Sequence, residues 1–129
     1  MCAGIGLHSG EHVRLALKPA STGAGINFIR SDITDSDNRI EARAENVTAV
    51  RLGTTIANAA GASVATVEHL MAALAGLGVD DVTIEIDGPE LPVMDGSSAP
   101  FVDLINRVGL KQLAAPRRAI QVLKPVVIE

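Results

Sequence analysis

Neither tryptophan nor tyrosine occurs in these 129 residues, and phenylalanine occurs only twice. A chain so poor in rings has no platform for stacking unpaired bases, and its core must be filled by Val, Ile, Leu and Ala packed by shape. Cysteine occurs once, at Cys2. No internal disulfide can form, and a reducing cytoplasm is the simplest setting. Positive charge is scarce as well: 11 Lys and Arg stand against 15 Asp and Glu, a net charge of −4. That leaves no basic stripe to displace counterions, so nucleic acid is not an expected partner. The longest uncharged stretch, 52–67, is broken by Thr, Asn, Ser and Gly and is no transmembrane segment. No basic start followed by an apolar run marks a secretory signal.

What is present suits one domain with a sizeable core. "HVRLALKP" (12–19) alternates, with Val13, Leu15 and Leu17 on one side and His12, Arg14 and Lys18 on the other, which predicts a half-buried strand. "GINFI" (25–29) predicts a second strand, and "RSDITDSDNR" (30–39) a polar loop. Residues 42–65 suggest two strands joined through "NAAGAS". "TVEHLMAALAGLG" (66–78) predicts a helix capped by Thr66, with Val67, Leu70, Met71, Leu74 and Leu77 on one face and Gly78 as its stop. "DDVTIEIDG" (80–88) is the clearest strand, pointing Val82, Ile84 and Ile86 inward. "APFVDLINRVG" predicts a second helix, with Ser98 as its cap and Pro100 tolerated in its first turn. "AIQVLKPVVIE" (119–129) reads as a final strand. The order points to an α+β, two-layer sandwich, with helices packed on one face of a mostly antiparallel β-sheet. The apolar ending is equally readable as an edge strand of this domain or as the start of something longer.

Chemistry concentrates where the apolar helix begins. Glu68 and His69 are about 100° apart in the first turn. A carboxylate gains there from the helix dipole, a neutral imidazole offers a lone pair to a metal, and a nearby Glu can take a proton from an activated water. A stabilising first-turn Glu beside an ordinary hydrogen-bonded His explains the same residues without chemistry. His8 and His12 form H-x-x-x-H, but Ser9-Gly10 between them breaks the helix that would align them. "DITDSDNRIE" lacks the Gly and late Glu of a calcium loop. "GIGLHSG" precedes a strand and is not a dinucleotide fingerprint. Ser97 and Ser98 lack a nucleophile-elbow setting, and capping explains at least one of them. Spacing alone therefore yields one metal ligand with an adjacent base, where catalytic zinc needs three protein ligands.

Four segments in this order, "GIGLHSG" (4–10), "RLGTT" (51–55), "TVEHLMAALAGLGVDD" (66–81) and "IEIDGPELPVMDGSSAPFV" (84–102), resemble the N-terminal half of the UDP-3-O-acyl-N-acetylglucosamine deacetylases. Those enzymes are zinc amidases of lipid A biosynthesis in Gram-negative bacteria. The resemblance implies two domains of similar fold with the active site between them: an N-terminal domain at 1–116, and at 117–129 the first strand of a second domain that is absent. It implies that His69 is one zinc ligand and Glu68 the general base for the zinc-activated water, which attacks the acetamide of UDP-3-O-acyl-N-acetylglucosamine to leave acetate and a free amine. Leu7 and His8 match positions near the cleft, and Leu52 and Thr54 match a loop lining the substrate passage. The remaining Zn2+ ligands, an H-x-x-x-D pair, and a His that protonates the amine belong to that second domain. The missing C-terminal domain is thus an expected partner beside the substrate, and the chain alone is expected to be inactive. Two other readings stand: a non-catalytic scaffold or interaction module of the same fold, and a metal site built from His8, His12 and His69.

Overall fold

Alternation decides the sheet. In a computed structural model describing residues 1–117 and 119–128, the strand expected at 12–19 is β2 (His12–Pro19), with Val13 and Leu15 buried. It lies beside β1 (Cys2–Ile5) on one side and β8 (Val82–Ile86) on the other, antiparallel to both. Next to β8 runs β3 (Ile26–Arg30), in parallel, and β4 (Arg39–Glu41) closes the edge antiparallel to β3. The spatial order is β1-β2-β8-β3-β4. Register places Leu17, Ile84, Phe28 and Ile40 in one row across four strands. Side chains of period two thereby present one continuous apolar face.

On that face lie two helices. The first, α1 (Glu68–Gly76), buries Leu70, Ala73 and Leu74, and the second, α2 (Ala99–Val108), buries Phe101 and Ile105. Together with the sheet's inward residues they form one core, so the α+β two-layer sandwich is the observed architecture. Gly78 ends α1 as expected: its φ is 69°, and it donates to the Ala75 carbonyl while Val79 donates to that of Leu74.

Several expectations need correction. Residues 42–65 hold three short strands, not two: β5 (Val47–Ala49), β6 (Thr55–Ala57) and β7 (Ser63–Val64) make a separate three-stranded sheet. Arg30 joins the two sheets. It lies at the register of Ile86, is 8% exposed, and donates to the Ser63 carbonyl at 2.6 Å and to both carboxylate oxygens of Asp32. The strand β1 was unforeseen because four residues interrupted by Gly4 carry little alternation. At α2, Ser97 and not Ser98 does the capping: its Oγ accepts from the Ala99 amide at 3.1 Å. Residues 119–128 form no strand; Ile120, Val122, Leu123, Val126, Val127 and Ile128 are all exposed, unpaired with either sheet. An isolated strand has nowhere to place its backbone bonds. Glu129 lies outside the described residues.

Candidate active site

Three loops meet at the N-terminal end of α1. The first is the tight turn between β1 and β2, closed by Gly6 donating to the Glu11 carbonyl and Gly10 to that of Gly6. The second precedes β6: Thr54 accepts from the Val67 amide at 3.3 Å, and its own amide donates to Glu68 Oε2 at 3.0 Å. The third is the proline-bounded segment after β8. Its residue Glu90 bridges Ala65 and its Pro92 bridges Gly6, while the Val93 amide donates to Ile5. "GLHSG", "RLGTT", "TVEH" and "PELP" are far apart in sequence and adjacent here.

At their centre is Glu90, 4% exposed. It accepts from the amides of His8 (3.1 Å to each oxygen) and Ser9 (2.8 Å), from the Thr66 hydroxyl (2.8 Å), and from His8 Nδ1 (2.8 Å). Burial pushes this carboxyl's pKa up, but the donors from Ser9, Thr66 and His8 outweigh it and bring it down to about 2. Glu90 is thus a fixed anion. The expected N-cap role of Thr66 is not observed: Val67 occupies the N-cap, and the Thr66 hydroxyl is donated to Glu90 instead.

Glu68 and His69 have different surroundings. Both are partly exposed. Glu68 accepts from the Thr54 amide through Oε2, and among the described residues Oε1 has no partner. The His69 ring makes no hydrogen bond to any described residue. It lies near enough to Asp95 for its charge to add to the lowering of that carboxyl, which the Ser97 hydroxyl and amide dominate. Asp95 is accordingly a turn residue. Gly53 sits between the loops: a Cβ there would lie 3.4 Å from Glu68 Oε1, 3.4 Å from Thr66 Oγ1 and 3.7 Å from His8 Cε1. Glu68 and His8 therefore face one space across a bare backbone.

Strain marks the same place. Among the described residues three non-glycine positions have positive φ, namely Leu52 (61°), Thr66 (57°) and Met94 (54°). Each belongs to a loop at this end of the molecule, and Thr66 is β-branched, the type least tolerant of that region. Such backbone costs on the order of 1–3 kcal/mol per residue and survives where neighbours enforce it.

Of the residues singled out from sequence, His8, Thr54, Glu68 and His69 come together at this end. Leu7 and Leu52 are on the same loops, with Leu52 projecting at 80% exposure. His12 lies on the exposed side of β2, and among the described residues no three His, Cys, Asp or Glu side chains assemble into a metal site. The three-histidine reading is thereby overturned: His8 is held against Glu90 in the turn, while His12 is exposed at the start of β2. Sequence reasoning missed Glu90 and gave Thr66 only a capping role. A lone carboxylate inside the apolar, proline-bounded run "PELPV" marks Glu90 as unusual, though not its partners.

The whole chain, residues 1–129, matches the family described as LpxC: UDP-3-O-acyl N-acetylglycosamine deacetylase. It is 52% identical over 124 residues to a UDP-3-O-acyl-N-acetylglucosamine deacetylase of Phenylobacterium zucineum (strain HLK1), covering 96% of this chain and 42% of the relative. It is 52% identical over 126 residues to the enzyme of that name from Geotalea uraniireducens (strain Rf4), covering 98% and 40%. Against that of Shewanella baltica (strain OS155 / ATCC BAA-1091) the identity is 44% over 126 residues, covering 98% and 41%. The chain spans about two-fifths of the length of the curated relatives it matches.

Proposed function

Because this chain belongs to the UDP-3-O-acyl N-acetylglycosamine deacetylase family, we propose that it is the N-terminal half of a zinc-dependent amide hydrolase. The bond broken is the acetamide of UDP-3-O-acyl-N-acetylglucosamine, a step of lipid A assembly in the cytoplasm. The observation that carries this reading is the pairing of Glu68 and His69 at a rigid helix start, both reachable from outside. Each has ligand or proton capacity that the described residues leave unused.

The residues present fit zinc as part of a shared site. His69 offers one imidazole without a described partner, among the described residues no group of three possible ligands assembles, and three protein ligands are the norm. In this account a second domain brings the rest. Zinc held there would polarise the amide carbonyl as a Lewis acid.

The chain's own part is positioning and proton transfer. Thr54 fixes the Glu68 carboxylate by one oxygen and leaves Oε1 to take the proton of the attacking water. Water oxygen bonds to the acetamide carbon as Glu68 takes its proton, the C–N bond breaks as the nitrogen takes a proton from the second domain's His, and the products are acetate and a free amine. Leu70 and Leu74, buried immediately behind the pair, keep α1 from shifting. His8, Leu7, Leu52 and Thr54 line the approach and contact substrate. Among the described residues no helix is long and apolar enough to cross a membrane, in keeping with action on a nucleotide-linked substrate from the aqueous side.

The experiment is to assay acetate release by the 129-residue chain alone and by the same chain joined to a relative's remaining domain. The expected result is negligible turnover alone and zinc-dependent turnover when joined. A folded, joined protein without turnover would favour the scaffold reading.

A further inference from the structure

The Glu90 cluster is unusual in what it does to one ring. His8 Nδ1 lies 2.8 Å from Glu90 Oε1 and 3.4 Å from Thr66 Oγ1. The carboxylate has no hydrogen to give, and the Thr66 hydroxyl donates its hydrogen to Glu90. Nδ1 therefore faces two acceptors and must carry the proton. In the neutral ring the lone pair is then on Nε2. The His8 side chain is 43% exposed against 4% for its carboxylate partner, and Nε2 has no partner among the described residues. Cε1, next to Nε2 in the ring, is the atom facing the space over Gly53 that Glu68 also lines.

We propose that Glu90 is a positioning residue: with Thr66 it locks His8 in the Nδ1–H form, so that Nε2 meets the substrate in the cleft as a hydrogen-bond acceptor for a hydroxyl or amide N–H. This rests on the deacetylase reading for the identity of the substrate, but not for the state of the ring. Tying the turn to α1 does not by itself need the imidazole, since the amides of His8 and Ser9 already reach Glu90. The ring's added contact fixes its tautomer and direction, as an outer carboxylate does for a working histidine.

The test is nitrogen NMR of the His8 ring in the 129-residue chain, followed by kinetics of the chain joined to a relative's remaining domain. Wild type should show a protonated, pyrrole-type Nδ1 and a pyridine-type Nε2. Glu90→Gln, whose amide turns a hydrogen toward at least one of those donors, should mix the two tautomers. Thr66→Val, which removes one acceptor and keeps the branched shape, should do so more weakly. In the joined protein Glu90→Gln should raise KM about two- to tenfold with kcat nearly unchanged: an even tautomer mixture accounts for about twofold, and loss of the ring's direction, one hydrogen bond of about 1.4 kcal/mol, for the upper figure. A wild-type ring protonated at Nε2, or a tautomer indifferent to both variants, overturns the proposal. So does a shifted tautomer with KM unmoved. Loss of all turnover in the joined wild type, with the tautomer as expected, instead sinks the deacetylase reading and with it the substrate contact.

Discussion

At the scale of single residues, the site depends on backbone that has no side chain. Gly6 cannot become alanine without collision: the new Cβ would clash with Ser9 Oγ and lie 2.6 Å from Glu90 Oε2. Gly6→Ala should cost on the order of 1–3 kcal/mol in urea unfolding, since neither neighbour can leave without breaking the turn. Gly53→Ala is the opposite case. Its Cβ would meet only ordinary contacts, so the unfolding midpoint should stay within about 0.5 kcal/mol of wild type. Because the methyl fills the space that Glu68 and His8 face, turnover of the joined protein should fall at least about tenfold, or about 1.4 kcal/mol in the barrier. The place of Glu68 and His69 in the first turn of an apolar helix was legible in the periodicity of 66–78. Glu90 was not, because its partners are more than eighty residues away at His8 and Ser9, and no local pattern reports such a pairing. Thr66 was misread for the same reason: a threonine before a helix reads as a cap until a stronger acceptor is found elsewhere.

At the scale of elements, α1 and β8 could be read in advance because each is long enough to show its period and each is followed within two residues by a glycine, Gly78 and Gly88. The small sheet could not. Its strands of two or three residues carry no period, and β5 is exposed along its whole length. What holds that sheet in place is tertiary: Ile56 and Val64 enter the main core, and Arg30 grips Ser63. Arg30→Met would keep the bulk and remove the donors, leaving the Ser63 carbonyl and Asp32 without their partner. A loss of about 2–4 kcal/mol is expected in thermal or urea unfolding. Hydrogen exchange in Arg30→Met should show β6 and β7 opening more readily than in wild type, with β2 and β8 less affected. Unchanged protection of β6 and β7 in the variant would contradict this role for Arg30.

For the whole molecule, acid is the informative stress. The carboxyls of Asp32, Asp87 and Glu90 all sit below their ordinary values: Asp32 through its bond from Arg30, Asp87 through bonds from the Arg14 amide and side chain, and Glu90 through donors that outweigh its burial. A pKa lowered in the folded state contributes stability above the unfolded value and loses it as pH falls through the folded one. For Glu90 that window runs from 4.5 down to about 2. Stability should therefore be level above roughly pH 5 and drop steeply below pH 4. Glu90→Gln should flatten the drop by up to about 3 kcal/mol. Identical acid profiles for the two proteins would show that the Glu90 cluster does not form in solution.

The central claim is that one helix start delivers a ligand and a base as two separable functions. Metal content and turnover, measured together on the chain joined to a relative's remaining domain, test it most directly. The account predicts that Glu68→Gln retains about one zinc per molecule while turnover falls by at least about a hundredfold, in the range of a lost general base, and that His69→Ala loses metal and turnover together. Full zinc and full turnover in His69→Ala would contradict it.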